Sequence, residues 1–264
     1  MSENSFKRLG EMDFEEMDLP SVLYKYCDWN KSFYKRILTH REFYLTPPSK
    51  FEDEFDCTVP IRYDLLTDDD IYEKYLNSSK KDNPIFTGQQ HHEFALEWQK
   101  KGLLRDKDRL LELDRFFFQK FDRLFGVLCL TANCRNIKMW SKYASEHTGF
   151  CVGLKTIPLF KLTEYFGSGG EVKYYDDLPI IKDTDELEKK HFLQIHSKLR
   201  KWEFEEEYRL TKLNVKNRVI VIPADIFVEI RLGAKISKDA EKDIMEVVKK
   251  TIPNAKIYRA RLKM

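Results

Sequence analysis

Across 264 residues, 46 Lys and Arg stand against 44 Asp and Glu, so the surface is densely charged but nearly balanced, which excludes the strong basic excess of a dedicated nucleic-acid binder. An aromatic share of 14% has to be buried, which excludes a disordered chain, and the length suffices for a substantial core in one large domain. No run of about 18 apolar residues occurs and the acidic start MSENSFKRLGEMDFEEMD lacks a signal peptide's apolar segment, so a cytoplasmic protein without a membrane partner is expected.

Residues 1–20 read as an N-terminal arm, and residues 21–264 as a single α+β domain. Val22 to Tyr26 alternate as a short strand, Trp29 to Leu38 follow as a helix, and Phe43 to Thr46 form a strand stopped by Pro47-Pro48. Beyond that rigid pair a constrained turn presents Ser49, Asp53 and Asp56. A helical insertion then covers about residues 65–125, with Leu110, Leu113, Phe117, Phe121 and Leu124 on one face and a polar loop from Asn77 to Thr87.

The sheet resumes at Gly126 to Thr131 and, after a short helix over Ile137 to Ala144, at Gly149 to Leu154. Glu171 to Tyr175 make another strand behind a flexible Gly-Ser-Gly-Gly, and Asp183 to Leu199 a helix. Arg218 to Pro223, Ile226 to Gly233 and Ala255 to Leu262 read as late strands around a helix carrying Ala240, Ile244, Val247 and Val248. Irregular interleaving of strands and helices favours α+β over a doubly wound sheet. The five cysteines (Cys27, Cys57, Cys129, Cys134 and Cys151) are odd in number and sit mostly in apolar strands, as expected of buried reduced thiols.

Chemistry concentrates in KLRKWEFEEEYRL, Lys198 to Leu210. A helix ending near Trp202 and a strand from about Phe204 would send Tyr208 and Leu210 to the core, with Glu205, Glu207 and Arg209 on the other face. Glu205 and Glu207 would then project together and repel, raising the pKa of one; the bland alternative is a solvated strand face. The basic run Lys198, Arg200 and Lys201 reads as a solvated helix end. Trp140, Tyr143 and His147 share a helical face and meet either one cleft or one core pocket.

Three separated segments, LYKY with YLTPPSKFEDEFDC, then MWSKYASEHTGFCVGL, then KWEFEEEYRL, resemble a bacterial family of uncharacterised domains found in mobile-element and phage-defence contexts. Glu52-Asp53-Glu54 stands where that family usually has Asn-Asp-Pro, and Lys25 where it often has Arg. The arrangement also resembles the ADP-ribosyltransferase superfamily, whose split mixed or antiparallel sheet places a basic residue on a first strand, a Ser, Thr or aromatic on a second, and a Glu on a late one. That resemblance implies Lys25 or Tyr26, then Tyr44, Thr46 or Ser49, then Glu205 and Glu207 as site residues, with NAD as substrate. Glu207 would stabilise an oxocarbenium-like transition state and Glu205 orient or deprotonate an acceptor, while Tyr44 stacks on nicotinamide and Lys25 pairs with phosphate. Trp140, Tyr143 and His147 would add to the nucleotide pocket.

The function expected is thus an ADP-ribosyltransferase-like enzyme or NAD glycohydrolase, a toxin-like defence effector, acting on a nucleotide and an unidentified macromolecular acceptor. The alternatives are a metal-dependent nuclease built on Asp53, Asp56, Glu205 and Glu207, and a non-catalytic module that binds a nucleotide or peptide.

Overall fold

The architecture follows from a sheet that is well paired on two sides and almost unpaired in its middle. The computed structural model describes Leu9 and residues 18–260, so the predicted arm, apart from Leu9 and residues 18–20, and the end of the last predicted strand lie outside the described residues. In chain order the elements are β1 (Val22–Cys27), α1 (Ser32–Thr39), β2 (Glu42–Tyr44), α2 (Asp68–Asp82), α3 (Gly88–Lys100), α4 (Lys107–Leu124), β3 (Gly126–Thr131), α5 (Ile137–Tyr143), β4 (Phe150–Lys155), α6 (Thr156–Phe160), β5 (Ser168–Glu171), β6 (Lys173–Tyr175), α7 (Leu187–His196), β7 (Ser197–Leu199), β8 (Glu207–Lys212), β9 (Val219–Val221), β10 (Phe227–Leu232), α8 (Lys238–Thr251) and β11 (Lys256–Arg259).

The main sheet is seven-stranded, in the order β11-β10-β4-β1-β3-β8-β5, and mixed: β10 and β11 run parallel and the other neighbours antiparallel. Two small ribbons, β2 with β9 and β6 with β7, complete an α+β fold. Along β1 and β4 the register runs unbroken from Val22↔Lys155 to Cys27↔Phe150, and along β3 and β8 from Gly126↔Lys212 to Thr131↔Glu207. Between β1 and β3, by contrast, the register consists of Tyr24↔Thr131 alone. The sheet therefore splays at that seam. Side chains bridge it where the ladder does not, the Lys25 ammonium donating to the Cys129 carbonyl at 3.2 Å and the Tyr26 hydroxyl to the Asn133 carbonyl at 2.8 Å.

On one face the sheet packs on α1 and α8, burying Leu23, Leu38, Phe150, Val152, Leu210, Ile230 and Ile244, and Leu9 joins this core while donating its N–H to Gly167 at 3.1 Å. Two glycines bring the strand ends together. A Cβ on Gly149 would sit 2.1 Å from the Cys27 carbonyl oxygen, and one on Gly233 at 2.1 Å from that of His147, so neither position tolerates a side chain. Gly149→Ala should accordingly cost about 3 kcal/mol and lower Tm by roughly 10 °C, as thermal unfolding would register.

Several local expectations are corrected. The predicted loop from Asn77 to Thr87 shrinks, because α2 continues to Asp82: Thr67 and Asp70 form a capping box at its start and Lys80 and Lys81 sit in its last turn, where the helix dipole favours cations. The Gly-Ser-Gly-Gly stretch is no flexible lead-in, since Ser168, Gly169 and Gly170 pair with Thr211, Leu210 and Arg209 in β5. Among the described residues no helix is long and apolar enough to cross a membrane.

Candidate functional site

The predicted helix through Trp202 stops instead at His196, because Ser197 to Leu199 are drawn into parallel pairing with Lys173 to Tyr175. A 3-10 turn, Arg200–Glu205, follows, and the strand begins only at Glu207. Between them Glu206 adopts a left-handed conformation, φ 44° and ψ 51°, with its carboxylate held by the Asn133 side-chain amide at 2.8 Å. This single inverted residue lets its two neighbours, the last of the turn and the first of the strand, turn their carboxylates to one place while its own points elsewhere.

That place is a cavity of about 480 Å³ opening at the splayed seam. Tyr24, Lys25 and Tyr26 line it from β1, Cys129 to Thr131 from β3, and Glu207 and Arg209 from β8. The segment after Pro47-Pro48 covers it with Phe51, Asp53 and Asp56, and Tyr143 and Trp202 close further sides. Lys25, Lys31, Lys50 and Lys142 give its walls a set of ammonium groups.

The floor is a buried ion network. Arg209, 0% exposed, grips both oxygens of Asp56 at 2.7 Å and both oxygens of Glu207 at 2.9 Å. The Lys198 ammonium sits among three carboxylates, 2.6 Å from Glu205, 3.2 Å from Glu207 and 3.3 Å from Asp56. Tyr143 donates its hydroxyl to Glu205 at 2.5 Å, and the Tyr174 hydroxyl accepts the N–H of Glu207 at 2.9 Å. Lys198 is thus buried rather than a solvated helix end, and Arg209 is an interior partner rather than part of a wet strand face.

The repulsion that would raise the pKa of one of the two glutamates does not raise that of Glu207. Burial pushes its pKa up, but Arg209 and Lys198 outweigh burial and hold it down at about 2. Burial likewise opposes the Lys198 charge, yet Glu207, Asp56 and Glu205 raise its pKa above the ordinary value. Burial and then the Glu205 carboxylate raise the Tyr143 pKa, so this hydroxyl stays a donor. Beside the network, burial followed by the Arg209 charge lowers His196, which stacks on Phe192, to about 3.

These shifts set the response to acid. Both His196 and Glu207 bind protons more weakly folded than unfolded, so the stability they confer is complete above their ordinary values of 6.5 and 4.5 and declines as pH falls toward about 3 and about 2. Each contributes a slope of about 1.4 kcal/mol per pH unit within its window. Denaturant unfolding should weaken first below pH 6.5 and more steeply below 4.5, and His196→Phe should flatten the fall between 6.5 and 4.5 and leave the shallower fall due to Glu207 below it.

Of the residues singled out in the sequence, Glu205, Glu207, Lys25, Tyr26, Thr46 and Tyr143 line this one cavity. Thr46 is fixed there by reciprocal backbone bonds of 2.9 Å with Val127. Four others lie elsewhere. Tyr44 is 48% exposed on β2 opposite Val219, because the strand it occupies pairs outside the main sheet. Ser49 donates its N–H to Asp122 of α4 at 2.7 Å and so anchors the turn to the insertion. Trp140 packs edge-on behind Tyr26 at 5.0 Å, donating its indole N–H to Cys134 at 3.0 Å, and His147 stacks on it at 6.0 Å. Both support the Tyr26 wall from within.

Sequence reasoning missed Lys198, Trp202 and the clamp role of Arg209. The alternation of Glu207 with Arg209 was readable, but the inward turn of Lys198 depends on the pairing of β7 with β6, which leaves no local signal. For the nuclease alternative, the Lys198 ammonium occupies the point where Asp56, Glu205 and Glu207 converge, and Asp53 faces Lys201 at 3.3 Å instead. A divalent cation would have to displace a protein cation there.

A family model described as a protein of unknown function (DUF2971) matches residues 139–210, from α5 into β8, a stretch holding Tyr143, Lys198, Trp202, Glu205, Glu207 and Arg209. The curated proteins and the solved structures contain no match to the chain.

Proposed function

We propose that this chain cleaves the nicotinamide-ribose bond of NAD and passes ADP-ribose to water or to a macromolecular acceptor. The observation that carries the reading is a buried pair of glutamates on the floor of a cavity walled by aromatic rings and lysines. Its size falls in the range of small-molecule sites, roughly 300 to 1,000 Å³. Tyr24, Tyr26, Tyr34, Phe51 and Trp202 give the lining an aromatic character suited to a base or nicotinamide. Lys25, which lines the cavity and donates to the Cys129 carbonyl, faces the pyrophosphate.

In the reaction the C1′–N bond breaks and its electron pair leaves with nicotinamide, which departs neutral. Positive charge develops on the sugar ring. Glu207, ionised throughout the physiological range, stabilises that charge in a site of low dielectric more than it stabilises the substrate. Oxygen of water or acceptor then bonds to C1′, and its proton passes to Glu205, whose two oxygens are oriented by Tyr143 and Lys198. A role as a toxin-like effector rests on the same reaction, since depletion of NAD arrests growth.

Purified protein incubated with NAD should release nicotinamide, and cell extract should raise the rate if the acceptor is macromolecular. Lys25→Ala, at a half-buried position outside the ion network, should raise KM by about tenfold with little effect on kcat, as expected for a lost phosphate contact. No release with or without extract rejects the reading, and binding without turnover leaves the non-catalytic module.

A further inference from the structure

Two polar atoms in residues lining the cavity are buried without a partner: Oδ2 of Asp53, an acceptor, and Nε1 of Trp202, a donor. They are also linked through Lys201, whose ammonium lies 3.3 Å from the other oxygen of Asp53 and 5.6 Å from the centre of the Trp202 ring. On the floor of the site, by contrast, each oxygen of Asp56 and Glu207 is held by Arg209. An unpaired buried carboxylate oxygen is costly, and so is an unpaired indole N–H. Here they come as an acceptor and a donor that do not satisfy each other.

We infer that Asp53 and Trp202 form the recognition edge of the site and read a planar group carrying an N–H donor beside an acceptor. This rests on the nucleotide reading above and adds to it what the pocket selects. A carboxamide presents that pattern, its NH₂ donating to Asp53 and its oxygen accepting from Trp202. So does an aminopurine, through its exocyclic amine and adjacent ring nitrogen. The neutral donor matters, because a carboxylate in its place would meet Asp53 as a like charge.

Competitive binding to the full chain separates the two sources. NAD is compared with its nicotinic-acid analogue, in which the carboxamide is a carboxylate, and with its hypoxanthine analogue, in which the donor and acceptor of the purine are exchanged. One of the two should bind at least about tenfold more weakly than NAD, the scale of one hydrogen bond to a charged group. Asp53→Asn should erase most of that discrimination, and Trp202→Phe, which keeps an aromatic ring, should reduce it. Equal binding of all three dinucleotides, or discrimination that survives Asp53→Asn, overturns the inference.

A ligand-free measurement keeps it separate from the NAD reading. If Asp53 is held for a ligand, Asp53→Asn leaves Tm within about 2 °C of wild type or raises it, since the exposed partner Lys201 contributes little. A fall of more than about 5 °C would mean that Asp53 is a structural anchor, and the inference fails even if NAD is bound. Failure of wild type to bind any of the dinucleotides rejects the NAD reading, and the Tm of Asp53→Asn then decides the recognition edge alone.

Discussion

Arg209→Leu is expected to remove about 3 to 5 kcal/mol of folding stability, which for a chain of this size is a fall in Tm of roughly 10 °C or more. The reason lies in what it strands. Arg209 satisfies both oxygens of Asp56, both oxygens of Glu207 and the Ile195 carbonyl at 2.5 Å, with Phe51 packed over its guanidinium at 5.1 Å. Without it two carboxylates remain in the interior with Lys198 as their nearest cation. Arg209 also joins β8 to the covering segment through Asp56, so its loss should free that segment as well as weaken the core. Arg209→Lys should fall between wild type and Arg209→Leu, because it restores charge without the fork that grips two carboxylates at once. Thermal unfolding of the three proteins checks this, and a change below about 2 °C for Arg209→Leu would contradict the description of the floor.

Glu207→Gln should lower the rate of nicotinamide release by about a hundredfold to a thousandfold or more, the scale of removing one preorganised electrostatic group. Its stability cost should be smaller than that of Arg209→Leu. The network sets two cations, Lys198 and Arg209, against three anions, Asp56, Glu205 and Glu207, and the amide brings these to two against two. A fold retained with activity lost is therefore the expected signature. Loss of both together would make Glu207 a structural residue, and retention of both would remove it from the reaction.

The sequence made some of this legible for physical reasons. Strands β1, β3, β4 and β10 declare themselves by continuous or alternating apolar residues, and the parity of Glu207, Arg209 and Leu210 follows from the two-residue repeat of a strand. Strand parity brings Glu205 and Glu207 together for an incomplete reason. They do not lie on one strand; they meet across the left-handed Glu206, which no propensity of glutamate announces. Their electrostatics could not be read either, because the sign of the Glu207 shift depends on Lys198 and Arg209 arriving beside it. Tyr44 lies away from the cavity because β2 pairs with the remote β9, and sequence pattern carries no information about which sheet a strand joins. Trp140 and His147 share a helical neighbourhood as expected, but the choice between cleft and core depended on Tyr26 standing between them and the cavity.

The most direct test is a crystal structure of Glu207→Gln with NAD bound. The account predicts a dinucleotide in the cavity at the seam between β1 and β3, with nicotinamide ribose C1′ within about 3.5 Å of the residue 207 side chain and the pyrophosphate at Lys25. A dinucleotide bound on any other surface, or a cavity that stays empty at saturating NAD, would contradict it.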